Sequence, residues 1–196
     1  MTLKIYGDRV SGNCLKVKWT AEKLGIPYTW IQASVMDRQT RTPEFLALHP
    51  GGQVPTVVLE DGRVLAQSNA IVLYLAEGSD LIPQDPYDRA RMLEWMFWEQ
   101  NSHEPNIAVA RRIRLLQKRP ATDVDAGMME GGHRALARLE QQVSATPFLV
   151  GEFLTLADVS LVAYTRMAGD GGFDLGLYPA VRAWVARVEV ELEIED

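Results

Sequence analysis

The loop Gly7-Asp8-Arg9-Val10-Ser11-Gly12-Asn13-Cys14 places a hydroxyl, an amide and a thiol between a short apolar–polar alternation and a helical run. In an open α/β sheet, ligands bind beyond the carboxyl ends of strands, beside helix N-termini. Ser11 therefore stands where a hydroxyl can meet a bound anion, with the unpaired N–H groups of the helix adding positive potential. Ser11 or Asn13 could instead simply cap that helix. Cys14 is the single cysteine, which excludes an internal disulfide and a dithiol mechanism within one chain. It shares a helix face with Val17 and Ala21 and reads as a small buried hydrophobe.

A second polar concentration is Trp98-Glu99-Gln100-Asn101-Ser102-His103-Glu104, followed by Arg111. It either lines a substrate site or is a solvated helix face. The three histidines, His49, His103 and His133, lack ligand spacing, and no metal is expected.

The elements that must hold these residues follow from periodicity. Leu3-Lys4-Ile5-Tyr6 alternates as a half-buried strand does; Cys14, Val17, Ala21 and Leu24 make a helix face closed by Gly25; Pro27 to Ile31 reads as a second strand. That succession is a βαβ unit with parallel strands. A polar stretch from Met36 to Thr42 precedes a short helical run, Pro43 to Leu48. Val54 to Leu59 and Arg63 to Ala66 flank Glu60-Asp61-Gly62 as a hairpin, with Pro55 at the strand's start. A helix follows from Ser68, read as its N-cap, to Gly78. The stretch from Gly78 to Pro86 carries Pro83 and Pro86 among turn formers and reads as a linker. Beyond Tyr87 only helical faces recur: Met92, Trp95 and Met96, with Pro105 kinking or ending that helix; Val109, Ile113 and Leu116; Leu136, Leu139 and Val143, with Gly127, Gly131 and Gly132 weakening its start; Leu156, Val159 and Ala163; and Val181, Trp184 and Val188. The expected fold is an α/β domain over residues 1–79, a linker over 80–86 and an all-α domain over 87–196.

Composition agrees with a soluble globular protein: 196 residues, 47% hydrophobic and 23% charged. No apolar run is long enough to span a membrane, and the start reads as a strand rather than a signal peptide, so a cytoplasmic setting is expected. A net charge of −6 argues against nucleic acid as a partner. Eight Lys/Arg face seven Asp/Glu before residue 80, and twelve face nineteen from there on. Part of that acidity, Glu189, Glu191, Glu193, Glu195 and Asp196, reads as a solvated or frayed terminus. Met92, Trp95, Met96 and Trp98 together exceed what one face of a solvated helix needs, so some of them are expected to face a partner chain; the rival reading is a helix buried all round inside a five-helix bundle.

Four segments in this order resemble the cytosolic glutathione transferases, in a serine-type, bacterial-like form. They are Ser11-Gly12-Asn13-Cys14-Leu15-Lys16-Val17; Pro50-Gly51-Gly52-Gln53-Val54-Pro55-Thr56; Gln67-Ser68-Asn69-Ala70-Ile71; and Thr155-Leu156-Ala157-Asp158. The resemblance covers essentially the whole chain and implies a thioredoxin-like first domain. It also implies a helical second domain, a homodimer, and conjugation of glutathione to small hydrophobic electrophiles, with detoxification as the typical use and glutathione a co-substrate rather than a cofactor.

The resemblance further implies roles. Ser11 is the catalytic hydroxyl, donating to the glutathione sulfur. Asn13, Gln53, Val54, Gln67 and Ser68 contact glutathione: Val54 through its backbone beside a cis Val54–Pro55 bond, and Gln67 with Ser68 at the γ-glutamyl carboxylate. Thr40 and Arg41 are candidates for the glycine carboxylate. Thr155 and Asp158 form a capping box that serves folding. His49 departs from the family's usual Asn before Pro50, which is expected to alter turn bonding. Two alternatives stand beside conjugation: glutathione-dependent peroxide or disulfide reduction, and a non-catalytic binding module.

Overall fold

The alternation through Leu3-Lys4-Ile5-Tyr6 folds as strand β1 (Leu3–Gly7), with Leu3 and Ile5 buried and Lys4 exposed. The computed structural model describes residues 2–194. The chain divides into two compact units, one ending at Ser79 and the other beginning at Asp80.

In the first unit, α1 (Gly12–Lys23) crosses from β1 to β2 (Tyr28–Gln32), which runs parallel to β1 from Leu3↔Tyr28 to Gly7↔Gln32. A 3-10 turn (Gln39–Arg41) leads to α2 (Pro43–Leu48), where Thr42 Oγ1 caps the Phe45 N–H at 3.3 Å. The hairpin is β3 (Thr56–Val58) with β4 (Val64–Ala66), and β3 pairs antiparallel with β1, so the sheet order is β2-β1-β3-β4. Helix α3 (Ser68–Leu75) closes the unit. The N-cap position is Gln67, not Ser68: Ser68 is the first helical residue, buried, and its hydroxyl is directed at α1 instead of its own helix end.

The second unit is helical. Asp85 caps α4 (Pro86–Trp98) by accepting from the N–H groups of Tyr87 and Asp88 at 2.9 and 3.0 Å. Pro105 neither ends nor simply kinks this helix. The path widens into a π-helical turn (Glu99–His103), continues as α5 (Glu104–Arg111) and widens again over Arg112–Leu116. The wide turn resets the hydrogen-bond frame, so Pro105 falls in the first turn of α5, where its missing N–H costs little.

Helix α6 (Ala126–Val143) starts ahead of all three glycines that were expected to weaken it. Their role is close packing: a Cβ on Gly132 would lie 2.3 Å from the Phe173 ring, and one on Gly131 2.4 Å from the Asn106 amide. All ten residues of α7 (Leu156–Thr165) are buried, as a helix apolar all round requires. Its capping box forms, and Asp158 does more than cap. Oδ1 accepts from Leu149 N–H and Trp184 Nε1–H, both at 2.9 Å, while Oδ2 accepts from the Thr155 N–H and hydroxyl at 3.0 Å. Burial pushes this carboxyl's pKa up against the pull of those donors. After α8 (Ala168–Gly171) comes α9 (Pro179–Glu191), whose first N–H groups, on Ala180 and Val181, donate to Glu140 at 3.0 and 2.8 Å.

Two expectations change here. Glu189 belongs to α9 and holds Arg166 at 2.6 Å, so it is not part of a frayed terminus; Glu195 and Asp196 lie outside the described residues. Met92, Trp95 and Met96 are buried and Trp98 is half-buried, with the Arg138 guanidinium 4.9 Å from the Trp95 ring and 5.0 Å from that of Trp98. Met92, Trp95 and Met96 are thus covered inside the chain, and Trp98 only in part. Its exposed aromatics are Tyr87 and Phe97.

Candidate active site

Strand register brings the segments singled out from sequence to one end of the sheet. β1 and β2 both finish there, at Gly7 and Gln32. Because Tyr6 pairs with Thr56 and Thr56 with Ala66, β3 begins and β4 ends at the same place. The Ser11 loop, the residues after Gln32, the Val54–Pro55 bond and the Gln67–Ser68 step therefore share that end. Helices α1 and α3 begin there too, with first-turn N–H groups that favour negative charge.

Ser11 occupies the N-cap position of α1 with extended backbone angles, but its side chain makes no capping bond. Cys14 is fully buried, and burial lifts its thiol pKa to about 11 despite hydrogen bonding from the Asp8 backbone and Ser11. The thiol is inert in neutral solution. Asn13, in the first turn of α1, accepts a hydrogen bond from the Ser68 hydroxyl at 3.1 Å, tying the two helix starts together.

Asp8 was not singled out from sequence, and it is the most connected group of this loop. Its carboxylate is buried; Oδ1 accepts from Gln32 Nε2 at 3.0 Å and from Val10 N–H at 3.4 Å, and Oδ2 from Val35 N–H at 3.2 Å. Its carbonyl accepts from Ser11 N–H at 3.0 Å. Gln32 is in turn held by Trp30 Nε1–H at 3.2 Å. Two of the partners lie 24 and 27 residues further along the chain, so no local spacing announces them.

The Val54–Pro55 peptide bond is cis, as the resemblance implies. Gln53 is exposed, and its carbonyl accepts from the Thr56 hydroxyl at 2.8 Å. Gln67 is exposed with φ +73° and ψ +113°, a combination that strains any residue with a Cβ. Thr40 is buried, whereas Arg41 is exposed and donates from Nη1 to the Gly51 carbonyl at 3.3 Å. The His49 departure leaves its Nε2 buried against Gly51, with no hydrogen-bond partner among the described residues. Asn13 and Ser68 are thus joined directly, while Gln53, Val54 and Gln67 reach the same sheet end through strand register.

The polar run of the helical unit divides. Glu99, His103 and Arg111 are buried and serve the interior. The Thr165 hydroxyl donates to Leu161 O at 2.7 Å and so accepts from His103 Nε2–H at 2.9 Å, and Arg111 pairs with Asp170 at 2.9 Å. Asn101 and Ser102 instead join Trp98, Asn106, Arg134 and Arg138 around a cavity of about 350 Å³. Among the described residues no three His, Cys, Asp or Glu side chains cluster as metal ligands do, and no helix is long and apolar enough to cross a membrane.

Residues 10–77 match the family model described as glutathione S-transferase, N-terminal domain, and residues 104–191 match glutathione S-transferase, C-terminal domain. The chain is similar to a crystal structure of a glutathione S-transferase from Pseudomonas fluorescens, with 45% identity, 96% of this chain and 95% of that one covered, and a TM-score of 0.93. It is 29% identical to glutathione S-transferase 3 of Zea mays, over 93% of this chain and 86% of the relative. It is 26% identical to the disulfide-bond oxidoreductase YfcG of Escherichia coli, over 88% of this chain and 84% of the relative.

Proposed function

The chain belongs to the glutathione S-transferase family, and from that premise we propose that it is a serine-type enzyme conjugating the glutathione thiolate to small hydrophobic electrophiles. A free thiol near pKa 8.5 is only a few per cent ionised at neutral pH. In this reading the Ser11 hydroxyl donates to the glutathione sulfur beside the N-terminus of α1, and both favour the thiolate. Lowering that pKa by about two units corresponds to about 2.7 kcal/mol. The observation that carries the assignment is that Ser11 stands at the N-cap of α1, at the end of the sheet where β1 and β2 finish, while its side chain makes no capping hydrogen bond to that helix.

The remaining assignments extend this reading. Gln67 and Ser68, at the start of α3, take the γ-glutamyl carboxylate, Ser68 through its backbone N–H while its hydroxyl donates to Asn13. The Val54 backbone beside the cis bond pairs with the cysteinyl backbone, and Gln53 donates from the opposite side. Arg41, exposed where Thr40 is buried, takes the glycine carboxylate. The enzyme works as a cytoplasmic homodimer, and glutathione is a co-substrate.

A second reading, glutathione-dependent peroxide or disulfide reduction, is favoured by the similarity to a bacterial disulfide-bond oxidoreductase and by the Asn13 amide in the loop. Calorimetric titration with reduced glutathione, followed by turnover of an activated aryl chloride, a hydroperoxide and oxidised glutathione, separates the readings. Binding with the aryl chloride turned over fastest supports conjugation. Faster turnover of the other two supports reduction, and no heat at millimolar glutathione makes the chain a binding module.

A further inference from the structure

Asp8 fastens the Ser11 loop on both sides. Between Gly7, where β1 ends, and Gly12, where α1 starts, it crosses only four residues, and the Ser11 N–H is held by the Asp8 carbonyl. The Asp8 carboxylate takes the Val10 N–H within the loop and reaches across to the end of β2 and the segment beyond it, where it takes the Gln32 amide and the Val35 N–H. Both oxygens are used, by donors from a different strand end, in a position shielded from water. A carboxylate in that setting forms stronger, better-directed bonds than a neutral acceptor of the same shape. Gln32, itself oriented by the Trp30 indole, fixes the far end of the clamp. Asp8 also lies beside a site proposed to hold a thiolate, where a second negative charge works against ionisation. Its presence there calls for a compensating gain, and the geometry offers one: the position of Ser11.

We propose that Asp8 is a positioning residue for the reaction, a buried carboxylate that locks the β1–α1 loop to the chain leaving β2 and so sets where the Ser11 hydroxyl meets the glutathione sulfur. The inference rests on the reading of Ser11 given above. It adds a residue that neither motif nor spacing marks, and it makes Gln32 and the Val35 N–H part of the same device. Asp8 touches no reacting atom; its effect passes through Ser11.

A double-mutant cycle tests this, using the full chain with glutathione and an activated aryl chloride. Asp8→Ala is expected to lower kcat about 10- to 100-fold, as loss of a charge-assisted bond network implies, with KM for glutathione changed by less than about threefold. In the Asp8→Ala background, Ser11→Ala is expected to cost less than it does in the parent, by about the factor that Asp8→Ala has already taken, because a misplaced hydroxyl has that much less to lose. Asp8→Asn keeps the shape and one acceptor and is expected to fall between, and Gln32→Ala, which removes one donor from outside the loop, to give a smaller loss of kcat in the same direction. If Asp8→Ala does not fold, as judged by circular dichroism, the cycle is run on Asp8→Asn. Additive losses from Asp8 and Ser11 substitutions overturn the positioning role while leaving Ser11 in place. A Ser11→Ala variant with unchanged kcat overturns both the reading of Ser11 and the inference built on it.

Discussion

The Ser68 hydroxyl donates to the Asn13 amide oxygen at 3.1 Å, joining residues 55 positions apart at the first turns of α3 and α1. Two helix N-termini with positive potential are thereby fixed side by side at the end of the sheet where every motif residue of the first unit converges. Asn13→Ala is expected to weaken glutathione binding by about three- to tenfold, the value of one neutral hydrogen bond. Asn13→Ala combined with Ser68→Ala is expected to cost less than the two singles together, because the residues share that bond. Isothermal titration of the three variants measures both effects.

Gln67 holds φ +73° in a region that favours glycine. Gln67→Gly should raise stability by about 1 kcal/mol, by releasing strain of the kind worth 1–3 kcal/mol, yet lower glutathione affinity by removing the amide. Opposite movements of the urea midpoint and of Kd are the signature. A variant that is less stable, or that binds as tightly as the parent, removes the functional explanation for the strain.

Cys14 gives a pH prediction with a definite sign. Its thiol ionises near 9 in the unfolded chain and near 11 in the folded one. The folded state holds the proton longer, so stability contributed by this group falls as pH rises through that window, by up to about 1.4 kcal/mol per pH unit. Cys14→Ala should flatten the slope of unfolding free energy between pH 9 and 11 relative to the parent. At pH 8 only about one thiol in a thousand is ionised, so a thiol reagent should label the native chain negligibly and the urea-unfolded chain fully.

Asp158 receives four hydrogen bonds in the interior of the helical unit, from Leu149, Trp184 and twice from Thr155. Asp158→Ala leaves these donors without an acceptor and is expected to destabilise by at least about 3 kcal/mol in chemical unfolding. Thr155→Ala removes one hydroxyl and should cost about 1 kcal/mol.

Much of this was legible in the sequence, for identifiable reasons. The period-two alternation at Leu3 to Tyr6 and the Glu60-Asp61-Gly62 turn are local signals, and β1, β3 and β4 appear where those signals lie. The misreadings share a different cause. Pro105 and the glycines of α6 were judged by intrinsic helix propensity, which tertiary context overrides: a π-helical turn absorbs the first, and close approach of Phe173 and Asn106 requires two of the others. His103 and Arg111 looked like site residues because polar types stood out among apolar ones. Their partners, Thr165 and Asp170, are 62 and 59 residues away, and only folding shows that these side chains pair inside the helical unit. Asp8 escaped for the same reason.

The central claim, that Ser11 activates the glutathione sulfur, is tested most directly by the kcat of Ser11→Ala for glutathione and an activated aryl chloride at neutral pH, with glutathione Kd measured in parallel. One charge-assisted hydrogen bond is worth about 1.5–3 kcal/mol, so the account predicts a fall in kcat of about ten- to 150-fold with Kd within a few-fold of the parent. An unchanged kcat contradicts it and shifts thiolate stabilisation to Asn13 or to a backbone N–H of α1.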